Sequence, residues 1–260
     1  MPKPLLSVVL ITYNEESNIK DCLQSIGQLA DEIIVVDGQS EDKTRQIAKA
    51  MGAKVFKVPN VPNFDKNKQI AVNKAKSKWV LQLDADERLT LKLSKEIAEV
   101  IKTKKPAYAG YNLPRKNWFL TRFLTKGGQY PDYVIRLFLN GKGSFSAKKL
   151  HQQAIIKGKV GYLKNDLIHL SDTSFSRYLM RFNRYTSFDA HDLQRHHHRP
   201  GFVMAWQYLI VKPISWFFST FFRHKGFVDG LSGFIFSLMS SLRFPVIFIK
   251  FWELKNESRS

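Results

Sequence analysis

The sequence predicts an α/β fold, in which helices cover both faces of a mostly parallel central sheet, with a helical extension at the C-terminal end. Two observations support this prediction. Within residues 1–105, four apolar runs of strand length alternate with segments whose apolar residues recur at helical spacing. A βαβα order of this kind predicts a parallel sheet. Beyond residue 170, long helical and apolar segments replace the alternation.

The predicted strands are β-branched runs without polar alternation, as expected for strands that are buried on both faces. They cover residues 7–13, 31–37, 53–58 and 79–84. Helical spacing predicts helices at residues 19–29, 40–52, 66–75 and 90–101, the second of them N-capped by Ser40. Shorter strand-like runs follow at 108–113, 133–139 and 153–156, and a long polar helix is predicted at 175–195.

Polar and acidic residues follow three of the predicted strands. Asn14 and Glu15 come after the first strand, Asp37 ends the second, and Asp84 and Asp86 follow the fourth. Ligands of parallel sheets bind beyond the carboxyl ends of the strands, so we expect these residues to form one site. The oxygens of an Asp-x-Asp pair suit Mg²⁺ or Mn²⁺, which proteins bind through one or two carboxylates together with substrate phosphates.

Several other kinds of site are excluded by the sequence. It contains neither a Walker A motif nor a GxGxxG motif, so a nucleotide diphosphate held by the cation is the ligand that we expect. The single cysteine, Cys22, excludes an internal disulfide and a cysteine-based metal site. The apolar run at residues 5–11 is too short for the core of a signal peptide, so none is expected.

Three motifs of this chain resemble those of family 2 glycosyltransferases, which have the Rossmann-like GT-A fold. They are Ser-Val-Val-Leu-Ile-Thr-Tyr-Asn-Glu-Glu at residues 7–16, Ile-Ile-Val-Val-Asp-Gly-Gln-Ser at 33–40 and Trp-Val-Leu-Gln-Leu-Asp-Ala-Asp-Glu at 79–87. Residues 127–138, His151 and residues 225–233 resemble one branch of that family, the bacterial lipopolysaccharide core β-1,4-glucosyltransferase-like enzymes. The resemblance implies a nucleotide-diphosphate sugar donor, a divalent metal (Mg²⁺ or Mn²⁺) and inversion by single displacement with one general base.

The resemblance also implies roles for individual residues. Asp86 would bind the metal together with Asp84, and Asp84 would contact the ribose. Lys68 stands where many members have arginine, and it is followed by Gln69 in place of asparagine, so its phosphate contact is altered. The residues expected to bind the nucleotide sugar are Thr12, Tyr13, Asn14, Glu15, Asp37, Lys68 and Asp84.

The general base is where this chain departs from the family pattern, because Gln152 follows His151 where related enzymes have glutamate. A glutamine side chain is not a useful proton acceptor. Three alternatives remain: His151 is the base, Asp132 is the base, or the chain is a slow or inactive transferase. His169 is expected to be structural, and Arg136 is the best candidate for a specific contact with the acceptor.

The charge of the chain is +19 at pH 7 and is unevenly distributed. Residues 1–105 carry 18 Lys and Arg against 14 Asp and Glu, whereas the remaining 155 residues carry 23 against 8. Such a surplus favours nucleic acid, an anionic membrane surface or a phosphorylated substrate as partner. Nucleic acid is not expected, because it leaves the strand-end carboxylates unexplained and no nucleic-acid-binding motif is present.

Two apolar segments near the C-terminus combine basic residues with Trp and Phe. Residues 202–222 hold one charge, Lys212, and residues 227–252 are interrupted by charged residues, glycines and Pro245. This composition favours helices in the membrane interface, with packing as core and spanning as the alternatives. We therefore expect a peripheral protein on the anionic cytoplasmic face of the bacterial inner membrane.

We expect a GT-A domain at residues 1–170, with a nucleotide-sugar half (1–105) and an acceptor half (106–170), and a helical membrane-interface region at 171–260. The expected function is inverting transfer of a hexose, with glucose favoured, to a lipopolysaccharide inner-core or related cell-envelope acceptor, an anionic glycolipid. The alternative acceptors are a polyprenyl phosphate or another envelope glycan. The non-enzymatic alternatives are a basic nucleic-acid-binding protein and a pseudoenzyme that binds a sugar nucleotide.

Overall fold

The computed structural model describes residues 4–61, 64–146, 153–196 and 200–257. The chain forms two compact units, one of Met1–Arg115 and Asp132–His169 and the other of Lys116–Pro131 and Leu170–Ser260. Residues 116–131, which the sequence assigned to the acceptor half, therefore belong to the second unit. The predicted catalytic residues His151 and Gln152 lie outside the described residues.

Strands and helices alternate at the start of the chain, as predicted. The strands are β1 (Leu6–Thr12), β2 (Glu32–Asp37), β3 (Lys54–Lys57) and β4 (Trp79–Asp84), and the helices are α1 (Glu16–Ile26), α2 (Thr44–Ala50), α3 (Phe64–Lys74) and α4 (Leu91–Lys102). The other strands are β5 (Glu87–Leu89), β6 (Gly110–Phe119), β7 (Arg122–Phe123), β8 (Asp132–Leu139), β9 (Gly143–Ser144), β10 (Ile155–Ile156), β11 (Val160–Tyr162) and β12 (Leu167–Asp172).

The main sheet has the strand order β3-β2-β1-β4-β8-β6-β12-β5. Its first four strands are parallel, and β8 runs antiparallel to both β4 and β6. In this register Thr12 lies opposite Asp37, and Ile11 lies opposite Asp84. The carboxyl ends of β1, β2 and β4 therefore meet at one edge of the sheet. The strands that reach this edge are fixed by core residues without solvent exposure, such as Leu10, Val35 and Leu83.

One predicted helix start is wrong. Helix α2 begins at Thr44 and has no side-chain cap, whereas Ser40 lies before it. The Ser40 hydroxyl donates to Oδ2 of Asp37 at 2.5 Å and accepts the Asn14 amide at 2.9 Å. Ser40 thus stabilises the strand ends rather than the helix, because its hydroxyl is occupied by nearby Asp37 and by the amide of Asn14, which is distant in sequence.

The second unit is mainly helical. It contains α5 (Phe175–Arg195), α6 (Phe202–Trp206), a π-helical turn (Gln207–Val211), α7 (Lys212–Phe218), a second π-helical turn (Ser219–Arg223), a 3₁₀ turn (Gly226–Asp229) and α8 (Gly230–Glu257). The predicted interrupted segment is largely one helix, α8, with Pro245 inside it. Within the described residues one helix, Gly226–Asn256, has the length and composition of a membrane span, with mean hydropathy 1.6 and 28% of its apolar window buried.

Asp229 anchors the loop that precedes β8. It is 1% exposed and accepts hydrogen bonds from the Thr125 amide (2.9 Å), the Thr125 hydroxyl (2.8 Å) and the Lys126 amide (2.8 Å). The next residue, Gly127, has φ +67° and donates its amide to the His224 carbonyl at 2.8 Å. The segment before α8 thus holds this loop through the Asp229 carboxylate and the His224 carbonyl, which accounts for Asp229 and Gly127 in these two motifs.

Asp229→Ala should lower the free energy of unfolding by about 2 kcal/mol, because two partly buried amides and the Thr125 hydroxyl lose their charged acceptor. The control is Asp189→Ala, which removes a half-exposed carboxylate paired with Arg243 at 2.9 Å. That variant should lose less than about 1 kcal/mol. Urea unfolding of both variants measures the difference, and equal losses would contradict the anchoring role of Asp229.

Candidate active site

Asp37 is a firmly held carboxylate at the strand-end edge. It is fully buried and accepts hydrogen bonds from the Thr12 hydroxyl at 2.9 Å and from the Ser40 amide at 2.9 Å. Arg45 Nε lies 3.4 Å from its Oδ1 atom. These contacts join the ends of β1 and β2, so two predicted nucleotide-binding residues, Thr12 and Asp37, lie together.

The loop after β1 lies beside them. Asn14 has φ +53°, a left-handed conformation that asparagine tolerates better than most residues, and its side-chain oxygen accepts the Glu41 amide at 2.9 Å. The Glu15 amide donates to the Thr44 hydroxyl at 2.8 Å. Tyr13 is 41% exposed, so its ring is open to a ligand. The predicted nucleotide-binding loop is thus fixed against the segment after β2.

Asp84, at the end of β4, is surrounded by positive charge. Arg136 Nη2 lies 2.5 Å from its Oδ2 atom, and Lys68 Nζ lies 3.5 Å from its Oδ1 atom. Gln82 donates a further hydrogen bond to Oδ1 at 3.0 Å. Burial acts to raise the pKa of Asp84, but the charges of Arg136 and Lys68 outweigh it and hold that pKa well below its usual range. Asp84 is therefore ionised at neutral pH.

Arg136 lies in the interior rather than on an open surface. It is 5% exposed, and its guanidinium donates to the side chains of Gln82, Asp84 and Glu87. Arg136 belongs to β8, and the antiparallel pairing of β8 with β4 brings it next to Asp84. The predicted acceptor contact would require an accessible guanidinium, and this one is occupied by two carboxylates.

Glu87 is a buried member of the site for which the sequence motifs predict no role. It has no solvent exposure, and its Oε2 atom accepts the Asp84 amide at 3.0 Å. Its Oε1 atom lies 2.6 Å from Arg136 Nη2 and 3.6 Å from Arg115 Nη1. The sequence shows Glu87 as the last residue of Asp-Ala-Asp-Glu at 84–87. The burial of its side chain depends on β5, whose three residues have no distinctive sequence pattern.

Asp132 is paired with Arg115. Both Nε and Nη2 of Arg115 donate to its Oδ2 atom, at 2.9 and 2.7 Å. The two residues face each other across β6 and β8. A carboxylate held by a guanidinium in this way is a weaker proton acceptor than a free one, because the positive charge stabilises its ionised form.

Asp86 lies next to a histidine. His169 Nε2 is 3.6 Å from Oδ2 of Asp86, and His169 is 8% exposed. Strand β12 carries His169 to a position opposite Glu87 of β5. The residue expected to be structural thus lies beside the predicted metal ligand.

The donor set around Asp86 fits a divalent cation only in part. Asp84 and Asp86 offer carboxylate oxygens and His169 offers an imidazole nitrogen, which are ligands that Mg²⁺ or Mn²⁺ accepts. Within the part of the chain that the structure describes, no group of three or more His, Cys, Asp or Glu is arranged to hold a metal. Substrate phosphates and water would therefore have to complete the coordination.

The ion pairs of Asp84 should make stability depend on pH in a defined direction. Because the folded pKa of Asp84 is depressed, its contribution is present above the unfolded value of about 3.9 and is lost as the pH falls. Asp84→Asn should therefore flatten the decline of the unfolding free energy between about pH 5 and pH 3. Urea unfolding in EDTA measures this slope, and an unchanged slope would contradict the pairing.

Comparison with known proteins places the chain in a family. Residues 7–157 match the family described as glycosyl transferase family 2. An uncharacterized glycosyltransferase of Rickettsia bellii (strain RML369-C) is 30% identical over 246 residues, which cover 90% of this chain and 81% of the relative. The lipopolysaccharide core biosynthesis glycosyltransferase LpsC of Rhizobium meliloti (strain 1021) is 27% identical over 241 residues, covering 90% and 87%.

A solved structure has a similar fold. The mannosyltransferase PcManGT from Pyrobaculum calidifontis, in complex with GDP-Man and Mn²⁺, matches with a TM-score of 0.58 at 11% identity, covering 96% of this chain and 87% of that one. The predicted GT-A fold is thereby confirmed. The match over residues 7–157 and the identity along most of the chain lead to one conclusion: this protein is an enzyme of glycosyltransferase family 2.

Proposed function

We propose that this enzyme transfers a hexose, with glucose favoured, from a nucleotide-diphosphate sugar to a lipopolysaccharide inner-core or related anionic glycolipid, with inversion. The observation that carries the proposal is the meeting of Asp37, Asp84 and Asp86 at one sheet edge, with Lys68 beside them. The similarity to LpsC supports an envelope acceptor. A polyprenyl phosphate acceptor keeps the same donor chemistry and differs only in the second substrate.

The donor side follows from the strand ends. We assign the nucleoside to Asp37 and the loop of Tyr13 and Asn14, the ribose to Asp84, and a diphosphate oxygen to Lys68. Asp86 would hold the metal, with His169 and Asp84 adjacent to it. A bound Mg²⁺ or Mn²⁺ would stabilise the negative charge that develops on the leaving diphosphate.

The acceptor side needs a general base within hydrogen-bond reach of the attacking hydroxyl. We propose His151 for this role, since Gln152 is not a useful proton acceptor and Asp132 is held by Arg115. A histidine ordinarily titrates near pH 6.5, which is suitable for a base at neutral pH. We keep the division into donor half 1–105, acceptor half 106–170 and C-terminal region 171–260 as part of this proposal.

We also propose that the C-terminal helices bind the surface of an anionic bilayer. An exposed stripe of apolar residues at four-residue spacing follows α6, α7 and the two π-helical turns: Phe202, Trp206, Ile210, Ile214, Phe218 and Phe222. In an α-helix with 3.6 residues per turn, residues four positions apart are rotated from one another by about 40° around the helix axis. The π-helical turns, with their i→i+5 bonds, reduce this rotation and keep the six side chains closer to one face. The stripe and the basic surplus support peripheral attachment to the cytoplasmic leaflet.

Asp86→Asn should reduce Mn²⁺-dependent hydrolysis of the preferred nucleotide sugar by about 10²–10³-fold, as expected when stabilisation of the leaving group is lost. The control is Asp21→Asn, whose carboxylate is 66% exposed and lies 3.9 Å from Arg88. That variant should keep the rate of the wild type. Release of the nucleoside diphosphate is the readout, and an undiminished rate in Asp86→Asn would remove the metal assignment.

Phe202→Ser combined with Trp206→Ser should weaken binding to vesicles that contain phosphatidylglycerol by about tenfold or more, because two aromatic side chains lose their apolar contact. Leu91→Ser is the matched control, since Leu91 is 85% exposed and lies at the start of α4 in the first unit. Cosedimentation with vesicles gives the partition coefficients. Equal binding of the double variant and the control would exclude the stripe as the membrane contact.

A further inference from the structure

We propose that Glu87 is a positioning residue that couples the carboxylate of Asp84 to that of Asp132, so that groups on the donor and acceptor sides of the site respond to each other. The inference rests on the proposed function, because it assigns the donor to Asp84. It concerns residues of the first unit, and each link is a direct contact between side chains. The network contains three carboxylates and three cations: Asp84, Glu87, Asp132, Lys68, Arg115 and Arg136.

The first link joins Asp84 to Glu87 through Arg136. The Nη2 atom of Arg136 lies 2.5 Å from Asp84 and 2.6 Å from Glu87, so one nitrogen serves both carboxylates. The side chains of Arg136 and Glu87 are 7% and 0% exposed. Water is therefore a poor substitute for either contact, and a stronger hold on one carboxylate weakens the hold on the other.

The second link joins Glu87 to Asp132 through Arg115. The Oε1 atom that Arg136 contacts also lies 3.6 Å from Arg115 Nη1. Arg115 in turn donates twice to Asp132, at 2.7 and 2.9 Å. A single oxygen of Glu87 is thus shared by two guanidinium groups, one directed to the donor carboxylate and the other to Asp132.

The direction of the coupling follows from the charges. Loss of the negative charge of Asp132 allows Arg115 to pair more fully with Glu87. The ion pair between Glu87 and Arg136 then becomes weaker. Arg136 pairs more fully with Asp84 and reduces the negative potential at the end of β4. A metal-bound diphosphate should therefore bind more weakly when Asp132 is neutral, although Asp132 is two guanidinium groups away from Asp84.

The test is the affinity for a nucleoside diphosphate with Mn²⁺, measured by calorimetry with UDP, GDP and ADP as probes. Asp132→Asn in the wild-type background should weaken binding of the preferred nucleotide by about fivefold or more, the lower end of common coupling effects. In the Glu87→Gln background the same substitution should change the affinity by less than about twofold, because the shared oxygen has lost its charge. This difference is one that a purely structural role of Glu87 would not produce.

The matched control is Glu96→Gln. Glu96 of α4 accepts the amides of Lys164 (2.9 Å) and Asn165 (3.0 Å), two residues that lie outside the network. In that background Asp132→Asn should still weaken binding about fivefold. If Glu87→Gln fails to fold, Arg115→Gln takes its place, since Arg115 is 21% exposed and its loss cuts the same link.

Each outcome decides between the two proposals. An unchanged affinity in Asp132→Asn, or an equal loss in both backgrounds, would overturn the role of Glu87 while leaving the donor site intact. A wild-type protein that binds none of the three nucleotides with Mn²⁺ would overturn the proposed function, and this inference with it. A fivefold loss that disappears only in the Glu87 or Arg115 background would support the coupling.

Discussion

The site is organised by the requirement of one partly buried carboxylate, Asp84, for positive charge. Asp84 ends a strand in the middle of the sheet, where burial penalises an ionised group. Arg136 from β8 and Lys68 from α3 supply the compensating charges. Because Arg136 is itself buried, it needs Glu87 as a second partner, and Glu87 in turn lies near Arg115. The presence of Arg136, Glu87 and Arg115 beside Asp84 follows from these successive charge requirements.

The net charge of +19 is distributed between two parts of the chain, and each part has its own explanation. Acidic and basic residues nearly balance in the first 105 residues, since carboxylates there face cations of the protein and, in the proposed function, a metal-bound diphosphate. The surplus lies in the remaining residues, which include the exposed aromatic helices. In the proposed function, an anionic acceptor at an anionic bilayer surface would account for both the charge and the apolar stripe.

Much of the fold could be predicted because its strands are continuous β-branched runs, and the position of the site follows from the parallel topology. The interior placement of Arg136 could not, because Ile-Arg-Leu-Phe at 135–138 has the same local pattern for a buried or an exposed arginine. The Arg115–Asp132 pair depends on the register of the antiparallel strands β6 and β8, which brings together two residues 17 positions apart in sequence. Helix α8 continues through Pro245 because contacts with α5, such as Lys250 with Asn183, stabilise it beyond local propensity.

The proposed metal site is tested most directly by anomalous scattering from crystals grown with Mn²⁺ and the preferred nucleoside diphosphate. We expect one Mn²⁺ peak at about 2–2.5 Å from a carboxylate oxygen of Asp86, with a phosphate oxygen as another ligand. Lys68 should then lie beside the diphosphate. A bound nucleotide without a Mn²⁺ peak at Asp86, or with the metal elsewhere, would contradict the assignment of this sheet edge as the donor site.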